Sequence, residues 1–172
     1  MKATKVLFAS ALWLCAPAAL LASDARPPST PADREQAVRF AHALEEDPLG
    51  AQAAEQRGWV LGFLDAAPDV HVNVCLELIG PLLKSDKPSI DALTLQLAIS
   101  TGAFVIEHPE TARDDAATSL AGLLGVLKAY EHVIQVSPTS RLKFLEDLLR
   151  KRDNGDLPSF VAKGLAKCAK YK

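Results

Sequence analysis

The segment from Ile90 to Gln135 decides the fold class of this chain, because it contains two long apolar runs. The first run reads IDALTLQLAISTGAFVIE and ends at Glu107, and the second reads TARDDAATSLAGLLGVLKAYEHVIQ and begins at Thr111. Apolar side chains recur in both runs at intervals of three and four residues, which is the spacing of one face of an α-helix. The sequence HPE separates the two runs. We therefore predict two long helices joined by a short turn.

Capping and helix-ending signals divide the rest of the chain into further helices. Ser89 is a candidate N-cap for the first run, and Thr111 with Asp114 resembles a capping box for the second. Prolines and glycines end the other apolar runs. The predicted helices span residues 32–46, 51–66, 70–83, 90–107 and 111–135, then a segment after Ser137-Pro138 that ends at the left-handed cap Gly155, and a last helix capped by Asp156 or Ser159. Because VHVNVCLEL also alternates apolar and polar residues, a strand is the alternative near residues 70–78.

The composition fits a single all-α domain. The chain has 172 residues and a formal net charge of −2, which allows one sizeable core but lacks the basic surface that nucleic-acid binding needs. Ala and Leu, the strongest helix formers, dominate its apolar residues. We predict a compact bundle of six to seven helices over residues 34–172, with no nucleic-acid partner, no cofactor and no membrane span in the mature chain.

Residues 1–25 have the features of a secretory signal peptide. Two lysines precede an apolar run over residues 6–22, and small residues follow it. We predict cleavage after Ala25; cleavage after Ala22 and an uncleaved anchor are the alternatives. The proline-rich residues 26–33 are predicted to form a flexible lead-in. The mature protein is therefore expected in the periplasm or outside the cell.

Removal of this signal peptide would leave two cysteines, Cys75 and Cys168. An exported protein with two cysteines commonly forms one disulfide. Each cysteine lies on the apolar face of a predicted helix, so both thiols are expected to face a core. We predict a Cys75–Cys168 disulfide, which contributes about 4–5 kcal/mol from loop entropy. Two buried free thiols are the alternative.

The stretch RGWVLGFLDAAPD, residues 57–69, places two glycines four residues apart in a predicted helix. Gly58 and Gly62 therefore share a face, and each costs about 1 kcal/mol relative to alanine. We predict that they allow another helix to approach closely, with Gly122 and Gly125 of the second long run as the partners in this contact. Trp59 and Phe63 are then expected in the core. The alternative is an exposed aromatic groove that binds a partner.

No strong catalytic motif is present in the sequence. It lacks a nucleophile elbow, a phosphate-binding loop and a pair of histidines at helical spacing. We therefore assign no catalytic and no metal-binding residue. The alternative is an enzyme or metal-binding protein with a carboxylate–histidine site built from Glu107, His108, Glu110 and Asp114, although acids at a helix start commonly serve capping. The acidic residues 45–47 are predicted to face solvent.

Two longer stretches carry a resemblance to known proteins. GWVLGFLDAAPDVHVNVC and FVIEHPETARDDAATSLAGLLGVLKAY together resemble small periplasmic helical proteins related to type VI secretion immunity proteins of the Rap/Tai type. They resemble HdeA acid-stress chaperones more distantly. The similar features are a Gly-aromatic-x-x-Gly helix ending in Asp, a downstream Cys, and an apolar helix closing on HPE. Arg57 and Tyr130 stand near the places where that group usually has two further cysteines. The chain also resembles uncharacterised exported bacterial helical proteins.

We predict a protein-interaction role, which the resemblance would make immunity-like or chaperone-like. The candidate partner-binding residues lie in one predicted helix and are Arg57, Trp59, Phe63 and Asp65. A weaker similarity of VLKAYEHVIQVSPTSR to half of a tetratricopeptide repeat makes a helical-repeat scaffold a further alternative. The sequence identifies neither the protein partner nor the oligomeric state.

Overall fold

The computed structural model describes residues 28–87 and 89–171, which form six α-helices joined by loops and short 3₁₀ turns. The helices are α1 (Pro31–Glu46), α2 (Ala53–Ala66), α3 (Ile90–Glu107), α4 (Asp115–Val136), α5 (Lys143–Asp153) and α6 (Leu157–Cys168). These described residues contain no β-strand. The predicted all-α class is confirmed, and six helices agree with the expected number. The predicted signal peptide, residues 1–25, lies outside the described residues.

Helix α3 is the central element, because it contributes to three hydrophobic clusters, the third of which joins its last turns to the loop after α2. Its N-terminal half packs with α4, α5, α6 and the segment before α3. Its C-terminal half packs with α1 and α2. Among the described helices, α3 alone is long and apolar enough to cross a membrane, and 61% of that length is buried inside the fold. Its apolar surface is therefore used by the core of this domain.

The segment between α2 and α3 differs from both predictions made for it. Residues 70–75 have no regular secondary structure, and two 3₁₀ turns follow at Leu76–Leu78 and Leu82–Lys84. The prediction of a helix over 70–83 is wrong, and no strand forms there. Alternate valines lower the helix propensity of its first part, and Pro81 prevents a continuous helix near its end. Leu78, Ile79 and Leu82 are buried in the cluster that includes α4 and α6, whereas Val74, Leu76 and Leu83 are exposed.

The predicted disulfide joins this irregular segment to the end of α6. The Sγ atoms of Cys75 and Cys168 lie 2.07 Å apart, and the two residues are separated by 93 positions in the sequence. Nearby, Gly164 of α6 lies so close to Leu78 that an added Cβ would collide with the leucine side chain. The disulfide and this close contact hold the segment against α6, although its only helical hydrogen bonds are those of the two short 3₁₀ turns.

The helix boundaries follow local capping chemistry. Asp114 caps α4, because its carboxylate accepts the amides of Ala116 at 2.9 Å and Ala117 at 3.1 Å. The predicted start at Thr111 is wrong, since the amide and hydroxyl of Thr111 both donate to the carbonyl of His108 in the preceding turn. Gly155 has φ +78°, which confirms the predicted left-handed cap.

Two of the other predicted caps occupy the cap position without making the expected bond. Ser89 precedes α3 and Asp156 precedes α6, but neither side chain accepts a hydrogen bond from its helix. Both helices therefore begin directly after the predicted cap residue, but the side chain of that residue makes no capping hydrogen bond.

The chain before α1 is held against the loop that follows α2. The amide of Ser29 donates to the Asp69 carboxylate at 2.8 Å, and Arg34 reaches the same carboxylate at 2.5 Å. The Ser29 amide and hydroxyl hydrogen bonds, with the Arg34 charge, hold the pKa of Asp69 below its usual range. Residues 29–33 of the predicted flexible lead-in are therefore ordered parts of the fold, because they contact Asp69, cap α1 and form its first residues.

Candidate functional site

The four predicted contact residues lie on α2, but they differ in their surroundings. Arg57 is half-buried, and its Nη2 donates to the carbonyl of Pro48 at 2.7 Å. Burial lowers the pKa of this guanidinium. Asp65 is exposed near the C-terminal end of α2 and lines a cavity of about 650 Å³ beside the start of α4. Arg57 thus braces the loop between α1 and α2, whereas Asp65 borders an open cavity.

Three aromatic rings form a ladder across α1 and α2. The ring centroids of Phe40 and Trp59 are 5.5 Å apart, and the rings meet edge to face. The centroids of Trp59 and Phe63 are 5.6 Å apart, and these two rings are nearly parallel. All three side chains are half-buried. The prediction that Trp59 and Phe63 are core residues is therefore only partly right, because each packs on a cluster while keeping part of its ring in solvent.

The two glycines of α2 face solvent. A Cβ added at Gly58 or Gly62 would have no heavy atom within 4 Å, and both residues are exposed. The prediction that they let another helix of the fold approach is wrong, because the buried side of α2 is the opposite one, which carries Val60. The alternative of an exposed surface agrees with their position. Periodicity places both glycines on one face but does not say which face turns inward.

Close helix packing instead occurs between α3 and α4. A Cβ at Gly122 would lie 2.9 Å from the carbonyl oxygen of Leu97 and would collide with Thr101. A Cβ at Gly125 would collide with Ser100. The glycine pair of α4 therefore does allow a close approach, as predicted, but the partner helix is α3 rather than α2.

A buried polar network lies where α1, α3 and α4 meet. Glu45 is only 7% exposed, and its carboxylate accepts the hydroxyl of Ser100 at 2.7 Å. Gln96 in turn donates to Ser100 at 2.9 Å. Lys128 and His42 lie 3.4 Å and 3.3 Å from the other oxygen of Glu45. The prediction that residues 45–47 face solvent is wrong for Glu45, whose charge is compensated by these partners.

Sequence reasoning missed this network, although one signal for it exists. Glu45 follows the buried residues Ala37 and Ala41 at intervals of four, so it continues the buried stripe of α1. A carboxylate on such a stripe needs buried donors. Ser100 of α3 supplies one such donor and Lys128 of α4 lies near the other oxygen, but only the tertiary packing brings both within reach of α1.

His42 connects Glu45 of its own helix to the end of α3. Its Nδ1 lies 3.3 Å from Glu45, and its Nε2 lies 3.1 Å from Glu107. Partial burial acts to lower the pKa of His42, but the hydrogen bonds and charges of Glu107 and Glu45 outweigh it and raise the pKa above its usual value near 6.5. The imidazole is therefore more readily protonated in the folded protein than in the unfolded chain.

This shift predicts a pH-dependent contribution of His42 to stability. Because the pKa of His42 is higher in the folded state than in the unfolded chain, protonated His42 stabilises the fold. This contribution is fully present below pH 6.5 and is lost as the pH rises through the folded-state pKa. We expect His42→Gln to reduce the free energy of unfolding at pH 5.5 but not at pH 8.5. Because the side chain is about half exposed, the loss should stay below about 1 kcal/mol. Urea unfolding at both pH values measures it.

The control for this prediction removes the first carboxylate partner. In a Glu107→Gln background, the pH-dependent effect of His42→Gln should shrink, because the largest contribution that raises the pKa is gone. An equal effect of His42→Gln at both pH values would contradict the assignment.

The residues of the alternative carboxylate–histidine site make separate contacts. Glu107 is bound by His42, and the Nδ1 of His108 lies 3.5 Å from Glu110. Asp114 caps α4. Within residues 28–87 and 89–171, no group of three or more His, Cys, Asp or Glu side chains is placed to hold a metal ion. The described structure thus gives this alternative no support.

Comparisons with known proteins return no relative. No protein-family model matches the chain, and neither a curated protein nor a solved structure matches it significantly. Fold and site therefore define only a class, a six-helix all-α domain with one disulfide and an exposed glycine-bearing helix face beside half-buried aromatic rings. Any function has to be argued from these features.

Proposed function

We propose that this chain is an exported protein-interaction domain that binds its partner through the outer surface of α2. This surface, the α2 face, consists of four exposed small residues spaced four apart and two half-buried aromatic residues, namely Ala54, Gly58, Gly62, Ala66, Trp59 and Phe63. The observation that carries the proposal is the aromatic ladder left half in solvent beside this face. Partly exposed tryptophan is enriched among residues that dominate binding energy.

Gly58 and Gly62 support the proposal, because packing within the described fold does not require glycine at either position. Each glycine inside a helix is less favourable than alanine by about 1 kcal/mol, yet alanine would fit at Gly58 and Gly62 without touching any other part of the described fold. This row of glycine and alanine residues forms a shallow groove along α2. A ridge of side chains on a second helix could pack into such a groove. We therefore propose a partner that presents an apolar helix.

Export is the second part of the proposal. Its support is the sequence pattern of residues 1–25 together with the disulfide between Cys75 and Cys168, since structural disulfides persist mainly in oxidising compartments. Intact-mass analysis of the protein isolated from cells tests it. A mature N-terminus at residue 26, with a mass that rises by two hydrogens on reduction, is the expected result.

The interaction is tested by cross-linked pull-down from the cell envelope with a matched pair of variants. We expect Gly62→Arg to abolish capture of the partner, because the arginine projects from the α2 face into the contact. The control is Ala162→Arg, which places the same side chain at an exposed position of α6. Both variants should keep the wild-type circular dichroism, since no described atom lies within 4 Å of an added Cβ at Gly62 and Ala162 is exposed.

The identity of the captured proteins distinguishes the finer roles. One stoichiometric partner lost only in Gly62→Arg would support an immunity-like role, and many unfolded clients lost in the same way would support a chaperone-like role. A partner retained equally by both variants would rule out the α2 face, and no partner above background would count against the interaction role itself.

A further inference from the structure

A cavity of about 330 Å³ lies beside the disulfide, away from the α2 face. It is bounded by residues 73–75, the start of α4 and the end of α6, and we call it the disulfide cavity. Its wall is mostly apolar and includes Val74, Leu165, Ala166 and both cysteines. This volume lies within the range of sites that hold small organic ligands.

One hydroxyl that lines the disulfide cavity makes no hydrogen bond within the described fold. Ser119 is 4% exposed and lines the cavity, and its hydroxyl makes no hydrogen bond with any other described residue. The neighbouring Thr118 shows the usual alternative, because its hydroxyl donates to the carbonyl of Asp114 at 3.0 Å. The Ser119 hydroxyl is therefore available to a polar atom of a molecule inside the cavity.

A carboxylate at the edge of the cavity favours a positively charged ligand. Asp115 lines the cavity, and its oxygen accepts the amide of Asn73 at 3.4 Å. It makes no ion pair with the described residues. The amides of Ala116 and Ala117 at the start of α4 are already bound by Asp114, so these two donors are not available to an anion. A cation would be attracted by Asp115, whereas an anion would be repelled.

We infer that the disulfide cavity binds a small organic cation, namely a primary amine with a compact apolar body. The apolar body contacts Leu165, Ala166 and the disulfide, while the ammonium group donates to Asp115 and to the Ser119 hydroxyl. This inference does not rest on the proposed function, because the cavity shares no residue with the α2 face.

The test uses three probes that differ in charge and share one ring. Phenylethylamine, 2-phenylethanol and phenylacetate are titrated into the folded protein and followed by amide NMR shifts and calorimetry. We expect the amine to bind most tightly and to shift the amides of residues 73–75, 115–119 and 165–169. Asp115→Asn should weaken amine binding about tenfold or more while leaving the binding of the alcohol nearly unchanged.

A steric pair of variants tests the location of binding. Ala166→Trp fills the mouth of the disulfide cavity from an exposed position, and Ala162→Trp places the same ring one turn earlier on α6, outside the cavity. Loss of amine binding in Ala166→Trp alone supports the site. Equal binding of amine and acid, binding that survives Ala166→Trp, or no binding of the amine at millimolar concentration would each overturn the inference. None of these results bears on the pull-down test of the α2 face.

Discussion

Replacing both Cys75 and Cys168 by alanine is expected to lower the free energy of unfolding by about 4–5 kcal/mol. The disulfide closes a loop across 93 sequence positions, and the entropy that such a crosslink removes from the unfolded chain grows with loop length. The irregular segment before α3 has few hydrogen bonds of its own, so it depends on this link to stay on α6. Urea unfolding of the wild-type and double-alanine proteins measures the difference.

Two controls separate the loss of the disulfide from the loss of the buried Cys75 and half-buried Cys168 side chains. Reduced wild-type protein should match the double variant closely, because reduction breaks the crosslink and leaves both cysteines in place. Single variants at Cys75 and Cys168 should give losses similar to each other, since either one removes the same link. A loss below about 1 kcal/mol in reduced protein would contradict the prediction.

Alanine at Gly125 and alanine at Gly62 are expected to have opposite effects on stability. At Gly125 the new Cβ collides with the side chain of Ser100 and lies 2.7 Å from Glu45, so α3 and α4 have to separate, at about 1–3 kcal/mol. At Gly62 the Cβ meets nothing, and the higher helix propensity of alanine should stabilise the protein by up to about 1 kcal/mol. The two variants thus differ by about 1–4 kcal/mol in urea unfolding.

This pair also tests the orientation of α2 directly. If Gly62→Ala destabilised the protein as much as Gly125→Ala, then Gly62 would be packed within the fold and the α2 face would not be free. Gly58→Ala offers an independent repeat of the favourable change, because its Cβ is equally unobstructed. A stabilised Gly62→Ala that binds its partner more weakly would show that the glycine is kept for binding rather than for folding.

Local patterns predicted the helices well where the apolar stripe was long. The periodicity of α3 and α4 located both helices, and the glycine at position 155 correctly marked the end of α5. Prediction failed at residues 70–83, where apolar residues at helical spacing form irregular backbone and 3₁₀ turns. Spacing alone could not show that these side chains would pack against α4 and α6 and be tied by a disulfide.

The candidate site was predicted only in part. The stretch that contains Trp59 and Phe63 does form a helix, and its aromatic rings do reach the surface. The inward orientation expected for Gly58 and Gly62 was wrong, and the burial of Glu45 was not foreseen. Both depend on which neighbour lies against a helix, and a helical period does not contain that information.

The sequence by itself determined the fold class, the positions of most helices and the cysteine pair, because these follow from local periodicity, capping residues and the small number of cysteines. The tertiary structure alone decided which glycine pair is packed, which carboxylate is buried and where the disulfide cavity forms. The physical reason is that burial is a property of contacts between distant segments. Gly125 meets Ser100 only because α3 and α4 lie side by side, whereas an added Cβ at Gly62 meets nothing because no element within residues 28–87 and 89–171 lies against that side of α2.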